Sequence, residues 1–230
     1  MFFQDFKNSI DFFLRSNIRL SRKNFEEKNK SILERNHQEN EYTYDILARY
    51  FKPVEKQSIS VLDIGCKNWF YARGEYKFFE SFCSDIKFDG VELDAYRLYS
   101  NFYNRYETAK YYTRGLKNTH YIVGNLLDIK NKYDYILWFL PFVIEEPLVK
   151  WNLPKKFFCP EKLLAHAYSL LQVGGQMLII NQGEIEAIAQ KKLLEELNIP
   201  YKYLGEVKSQ YFMYKNQRFG FLIEKSYNLN

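Results

Sequence analysis

Short apolar runs alternate with helical patterns along the chain from residue 42 onward. The runs SVLDIG, FDGVELD, HYIVGN, YDYILWFL and QMLIIN predict five strands, and YKYLGEV and RFGFLIEK predict a final antiparallel pair. A helical period predicts helices at residues 41–51, 76–83, 95–106, 160–171 and 184–197. Apolar strands that alternate with helices are typical of a parallel sheet covered on both faces. The pattern therefore predicts an α/β fold with a doubly wound, mostly parallel seven-stranded sheet.

The first 41 residues follow a different pattern. Apolar side chains recur there at steps of three and four, as on one face of a helix: Phe2, Phe6, Ile10 and Phe13. We therefore expect an N-terminal helical extension at residues 1–41 and a main domain at residues 42–230. Basic residues outnumber acidic ones between residues 15 and 35. A solvated helix face explains this surplus better than a phosphate-binding arm, since such charge runs are common on surfaces.

Composition and charge limit the possible functions. The chain has 230 residues, 47% of them hydrophobic and 27% charged, as in a globular protein. Its net charge of +5 is small for a dedicated nucleic-acid-binding domain. The three cysteines are widely separated and odd in number, so we expect no metal site and no disulfide framework, and a reducing, cytoplasmic compartment. Charged residues interrupt the apolar N-terminus, so we expect neither a signal peptide nor a membrane span.

The stretch VLDIGC contains the first candidate binding residues. In an open parallel sheet, ligands bind beyond the carboxyl ends of the strands, and the first strand-to-helix turn contributes to that site. Gly65 in this turn lets a ligand approach the main chain closely. Asp63 places a carboxylate just before the turn, which disfavours a phosphate and favours a ligand with an amine or a sulfonium.

Two further carboxylates follow the next strands. Glu92 ends the second strand, where an acidic side chain can accept hydrogen bonds from a ribose diol. Asp128 follows the third strand and could accept a hydrogen bond from the exocyclic amine of adenine. Ribose, adenine and a cationic amino-acid tail together describe S-adenosylmethionine.

Five segments in order carry a resemblance to a known family: VLDIGC, FDGVELD, YIVGNLLDI, YDYILWFLPF and LLQVGGQMLIIN. Over residues 42–225 they resemble the ordered motifs of class I S-adenosylmethionine-dependent methyltransferases. The resemblance implies that Asp63 and Gly65 lie by the methionine moiety, Glu92 binds the ribose, and Leu127 and Asp128 hold the adenine. The cofactor set is completed by the neighbours of these residues in the motifs, Cys66, Lys67 and Leu93.

The chain departs from the family pattern in the first turn. The family usually has glycines at the second and fourth positions after Gly65, where this chain has Lys67 and Trp69. These side chains narrow the room for the methionine end of the cofactor. Lys67 either pairs with the cofactor carboxylate or points to solvent.

The substrate wall is expected at the ends of the fourth and fifth strands. The aromatic residues Trp138, Phe139 and Phe142, with Pro141, could hold a planar or apolar substrate or could simply pack the strand end. Asn181 and Glu184 are candidate polar contacts, although Glu184 could merely favour the start of a helix. The polar acceptor that methylases of exocyclic base amines carry before their Pro-aromatic motif is missing here.

We therefore expect a methyltransferase that uses S-adenosyl-L-methionine and acts on a small or medium-sized metabolite. Few catalytic residues are needed, because methyl transfer depends chiefly on alignment and on the exclusion of water. An RNA or protein methyltransferase is the alternative, and an RNA enzyme would use basic residues such as Arg15, Arg19, Arg22 and Lys23. A non-catalytic binding domain with the same fold also fits, because of Lys67 and Trp69.

Overall fold

The computed structural model describes residues 22–99 and 101–226. The apolar pattern of residues 2–13 and the basic residues Arg15 and Arg19 lie outside this part of the chain. The helices are α1 (Arg22–Tyr50), α2 (Ala72–Glu80), α3 (Arg105–Tyr112), α4 (Glu145–Lys150), α5 (Pro160–Leu170) and α6 (Gly183–Glu196). The strands are β1 (Ser58–Ile64), β2 (Asp85–Glu92), β3 (Thr119–Val123), β4 (Tyr133–Phe139), β5 (Leu171–Gln182), β6 (Lys202–Glu206) and β7 (Arg218–Glu224). Short 3-10 turns lie at Leu126–Asp128 and Lys155–Phe157.

The seven strands form one sheet in the order β3-β2-β1-β4-β5-β7-β6. Strands β1 to β5 pair in parallel, whereas β7 runs antiparallel to both β5 and β6. The predicted α/β fold with a mostly parallel seven-stranded sheet is therefore confirmed. The carboxyl ends of β1, β2, β3 and β4 lie along one edge of the sheet, because parallel strands end on the same side.

Each face of the sheet carries its own apolar core. Helices α1 and α2 cover one face, where Val61 and Leu137 are fully buried among aromatic side chains. Helices α5 and α6 cover the other face, where Leu62 and Ile136 are fully buried. Neighbouring residues of β1 and β4 thus point to opposite cores, as the period of two requires. This explains why the central strands are apolar throughout rather than alternating with polar residues.

Helix α1 is continuous across residues 41 and 42 and packs against α2. An added Cβ at Gly74 would lie 2.1 Å from the carbonyl oxygen of Asn40, so the two helices cross at close range there. The Asn40 side chain fixes the crossing, since its Oδ1 accepts from the Gly74 N–H at 2.6 Å. The division at residues 1–41 and 42–230 stays a prediction.

The predicted helix at residues 95–106 is wrong in its position. Residues 95–99 and 101–104 form turns with one isolated bridge between Leu98 and Asn104, and α3 begins only at Arg105. Asn104 is the reason, because its side chain accepts from the Glu107 N–H at 2.8 Å while the Glu107 carboxylate accepts from the Asn104 N–H at 2.9 Å. This capping box starts a helix at the next residue.

We predict that Gly90→Ala destabilises the protein by about 1–3 kcal/mol, the usual range for overpacking. The added methyl would lie 2.7 Å from the indole of Trp69, which is fully buried and has little room to move. Gly124→Ala is the matched control, since an added Cβ there meets nothing within 4 Å. Urea denaturation measures both variants, and equal stability of the two would contradict the packing argument.

Candidate functional site

The turn after β1 keeps the backbone shape of a glycine-rich turn with only one glycine. Gly65, Lys67 and Trp69 all have positive φ angles, of 70°, 53° and 49°. A left-handed conformation costs a non-glycine residue roughly 1–2 kcal/mol, so the contacts of Lys67 and Trp69 must hold them there. The Trp69 indole is fully buried and donates from Nε1 to Glu75 at 3.0 Å, away from the cavity described below. It therefore does not block the approach to the turn.

Glu92 at the end of β2 is the centre of the hydrogen bonds at this edge. Its Oε2 accepts from the Lys67 N–H at 3.0 Å, and its Oε1 accepts from the Asp94 N–H at 2.8 Å. Oε1 also accepts from Arg105 Nη1 at 2.9 Å, in an ion pair whose side chains are only 7% and 3% exposed. A carboxylate has about four acceptor positions, so Glu92 retains one for a ligand hydroxyl while it keeps these contacts.

Arg105 is a site residue that the sequence reasoning missed. It lies 13 positions beyond Glu92, on α3, and only the turns between them bring it back to the sheet edge. The capping pattern of Asn104 and Glu107 could have placed the start of α3. No pattern in the sequence pairs Arg105 with Glu92.

A cavity of about 520 Å³ opens at the carboxyl ends of β1 to β4, and we call it the turn cavity. Several predicted cofactor residues line it: Gly65, Lys67, Glu92, Leu93 and Leu127. An added Cβ at Gly65 or Gly124 would meet nothing within 4 Å, which leaves the main chain open to a ligand at both glycines. Cys66 is fully buried in the core and does not line this cavity, and burial raises the pKa of its thiol.

The segment after β4 forms the outer wall of the turn cavity. Trp151 lies there with three cations around its ring, at 4.9 Å for Lys67, 5.0 Å for Arg105 and 5.7 Å for Arg97. Burial lowers the pKa of Lys67, and the neighbouring Arg105 lowers it further. Lys67 therefore points into the cavity rather than to solvent, which excludes one of the two alternatives for this side chain.

The residues after β3 are placed differently from the prediction. Asn125 lines the turn cavity, and its Oδ1 accepts from the Leu127 N–H at 3.0 Å at the start of a 3-10 turn. That turn carries Asp128 to the surface, where its side chain is exposed and does not line the cavity. Asn125 therefore borders the turn cavity, whereas Asp128 does not.

Asp63 is fully buried, and neither of its carboxylate oxygens has a hydrogen-bond partner among the described residues. It shares the α1–α2 face of the sheet with Glu75, which is also fully buried. Burial raises the pKa of Asp63 well above its usual range, and the negative charge of Glu92 raises it further. Asp63 lies behind the wall that Ile64 and Gly65 form, because these two residues line the cavity and Asp63 does not.

A second cavity of about 400 Å³ lies between α1 and the sheet, and we call it the helix cavity. Its walls come from α1, from the turn after β1, from the ends of β4 and β5, and from the loop before β7. Lys67, Phe139 and Leu140 line both cavities. The two cavities therefore adjoin at these three residues.

The predicted substrate residues fall into two groups. Trp138, Phe139, Pro141 and Phe142 line the turn cavity, and Phe139 also lines the helix cavity. Asn181 is fully buried with both side-chain polar atoms unpartnered, and Glu184 is exposed in the first turn of α6. Neither of these two residues lines either cavity.

The sheet order, with its single antiparallel strand and a cavity at the carboxyl edge, defines the fold of class I S-adenosylmethionine-dependent methyltransferases. Solved structures of that class share it. A methyltransferase from Aquifex aeolicus that depends on S-adenosylmethionine matches with a TM-score of 0.54 and 16% identity over 79% of this chain and 88% of its own. The predicted resemblance to this class is confirmed at the level of the fold.

Two further solved structures are similar in the same way. A Methanococcus maripaludis protein assigned to this methyltransferase class has a TM-score of 0.52 and 14% identity, over 89% of this chain and 91% of its own. Precorrin-6y C5,15-methyltransferase from Geobacter metallireducens has a TM-score of 0.51 and 11% identity, over 81% of this chain and 87% of its own. No family model matches the sequence, and neither does any curated protein.

Two negative findings concern only the part of the chain that the structure describes. Residues 22–99 and 101–226 contain no group of three or more His, Cys, Asp or Glu side chains that could hold a metal ion. None of the helices within these same ranges is long and apolar enough to cross a membrane.

We predict that Asp63→Asn stabilises the protein at pH 8 and weakens the pH dependence of its stability. A carboxyl whose pKa is raised by folding keeps its proton above the unfolded value of about 3.9, so wild-type stability falls as pH rises. The free energy of unfolding falls by about 1.4 kcal/mol per pH unit for one such group, until the pH reaches the raised pKa. Urea denaturation between pH 5 and pH 8 measures it.

Asp128→Asn is the control for this experiment, because Asp128 is exposed. A variant Asp63→Asn that loses stability between pH 5 and pH 8 as steeply as the wild type would contradict a protonated Asp63. The Asp63→Asn variant keeps part of the wild-type pH dependence of stability, because burial also raises the pKa of Glu75.

Proposed function

We propose that this protein is a methyltransferase that uses S-adenosyl-L-methionine and transfers the methyl group to a small or medium-sized metabolite. The observation that carries the proposal is the junction of two cavities at Lys67, Phe139 and Leu140. The turn cavity would hold the cofactor and the helix cavity the methyl acceptor. A methyl group at the junction could pass directly from one cavity to the other.

The turn cavity offers a partner for each part of the cofactor. The open main chain at Gly65 accommodates the methionine end, and Lys67 is placed to pair with its carboxylate. Glu92 accepts a ribose hydroxyl with its remaining acceptor position. Asn125 and Leu127 border the adenine, with Leu93 on the other side of the strand end. Asp63 lies behind the turn, where burial raises its pKa, so its protonated carboxyl contributes no negative charge to the cofactor site.

The chemistry requires alignment more than acid–base groups. Transfer from a sulfonium is a direct displacement, in which the acceptor atom forms a bond to the methyl carbon as the bond to sulfur breaks. The protein accelerates it by holding the three atoms in line and by excluding water. The aromatic and aliphatic side chains at the junction suit that role.

The limited volume of the helix cavity, about 400 Å³, favours a small acceptor over a macromolecule. Helix α1 covers it through Tyr42, Thr43 and Ile46, all of which are buried. Three free cysteines are consistent with a reducing, cytoplasmic environment. A non-catalytic binding domain is the second candidate, because Arg105 already occupies one side of Glu92.

Thermal shift and transfer of a labelled methyl group test the proposal together. We expect S-adenosylhomocysteine at 100 times its dissociation constant to stabilise the protein by about 2.7 kcal/mol. Incubation with labelled S-adenosylmethionine and fractionated small molecules should label one fraction. Stabilisation without transfer into any fraction would favour the binding domain, and no stabilisation would overturn the cofactor assignment.

We predict that Asn125→Ala weakens S-adenosylhomocysteine binding roughly three- to ten-fold, the effect of one lost hydrogen bond. Asp128→Ala should leave the affinity unchanged, because Asp128 is exposed and outside the turn cavity. Isothermal titration of the two variants compares them directly. If Asp128→Ala loses affinity and Asn125→Ala does not, the adenine contact belongs to Asp128 instead.

A further inference from the structure

The helix cavity contains more positive than negative charge. Three cationic side chains line it, Arg35, Lys67 and Arg218, against a single carboxylate, Glu39. That carboxylate is already engaged, since it accepts from Arg35 Nε at 2.7 Å and from the Tyr214 hydroxyl at 3.3 Å. It is therefore unable to neutralise the remaining cations.

Arg218 has no carboxylate partner among the described residues. Its Nη1 donates to the Gln182 side chain at 3.1 Å and to the carbonyl of Asn216 at 3.2 Å, both of them neutral acceptors. Burial lowers the pKa of this guanidinium, and the more distant carboxylates Glu186 and Glu39 partly offset that effect. A partly buried guanidinium with no carboxylate in hydrogen-bond contact favours an anionic ligand with planar acceptor geometry.

A second polar group of the same cavity lacks a partner. Tyr42 is 6% exposed, and its hydroxyl has no hydrogen-bond partner in the described structure. An unsatisfied buried hydroxyl costs about 1–3 kcal/mol, which an acceptor atom of a ligand would recover. Tyr42 and Arg218 both pack against Tyr214, whose ring lies 5.0 Å from the Tyr42 ring and 4.4 Å from the Arg218 guanidinium.

The rest of the wall is largely aromatic. Phe70, Tyr71, Phe139 and Tyr214 line the helix cavity, and the rings of Tyr71 and Phe139 are 5.4 Å apart. Such walls bind flat ring systems by offset or edge-to-face contacts. The cavity thus combines an anion-binding corner with walls that suit a planar body.

We propose that the methyl acceptor is a planar aromatic molecule with an anionic group, a carboxylate or a phosphate, that binds to Arg218 and to the Tyr42 hydroxyl. The accepting atom then lies toward Phe139 and Leu140, where the helix cavity meets the turn cavity. The role as an acceptor rests on the proposed function, whereas the anion site itself does not.

Three ligands of similar shape test the anion site: benzoate, phenyl phosphate and the neutral benzamide. Dissociation constants are measured by ligand-observed NMR, with and without saturating S-adenosylhomocysteine. We expect at least one of the two anions to bind about ten-fold tighter than benzamide, the usual gain for a charge-assisted hydrogen bond. The better anion shows whether a carboxylate or a phosphate fits.

Three variants test which side chains cause the preference for an anion over benzamide. Arg218→Gln should abolish the preference for the anion, and Tyr42→Phe should reduce it. Lys215→Gln removes an exposed charge from the same loop and should leave it unchanged. Tyr42→Phe should also unfold at the wild-type temperature or above, because the deleted hydroxyl has no partner.

Equal affinity for benzoate, phenyl phosphate and benzamide, or an anion preference that survives in Arg218→Gln, would overturn the proposal. Failure of the proposed function gives a different result. In that case S-adenosylhomocysteine neither stabilises the protein nor changes the affinity for the anion, while Arg218 still selects it. The site would then be an anion site without a methyl donor, and the acceptor role would be rejected.

Discussion

The hydrogen bonds of Glu92 hold the functional edge of the sheet together. One carboxylate joins the turn after β1 through the Lys67 N–H, the end of β2 through the Asp94 N–H, and helix α3 through Arg105. Loss of one partner from a buried ion pair costs about 3–5 kcal/mol, because the other charge is left buried and unpaired. The shape of the turn cavity and the position of Trp151 both depend on this interaction, since Arg105 also contacts the Trp151 ring at 5.0 Å.

The same interaction explains how the turn after β1 tolerates side chains where the family has glycine. Lys67 keeps a left-handed backbone because Glu92 accepts its N–H and the Tyr121 hydroxyl donates to its carbonyl. Trp69 is held by its N–H bond to the Cys66 carbonyl at 2.7 Å and by the indole bond to Glu75. The two side chains point in different directions: Lys67 points into the turn cavity and Trp69 into the core. The turn therefore keeps the left-handed backbone of a glycine-rich turn and also carries the Lys67 side chain.

The sheet could be predicted from the sequence because burial on both faces makes the central strands continuously apolar. Gly65 and Glu92 line the turn cavity because they lie at the ends of β1 and β2, which a strand pattern can locate. Asp128 lies outside it because it ends a 3-10 turn that begins after Asn125, and no periodicity in the sequence reveals that turn. Arg105 and the helix cavity depend on tertiary contacts of the turns after β2 and of α1, which local patterns do not encode.

The charges of the two cavities are complementary to the two ligands we propose. In the proposed complex, Glu92 of the turn cavity binds the ribose of S-adenosylmethionine, and Lys67 pairs with its carboxylate. The helix cavity has an excess of positive charge, because Glu39 is engaged by Arg35 and Arg218 has no carboxylate within ion-pair distance among the described residues. The proposed anionic acceptor neutralises that excess at Arg218. In this proposal the accepting atom points toward Phe139 and Leu140, where the two cavities meet.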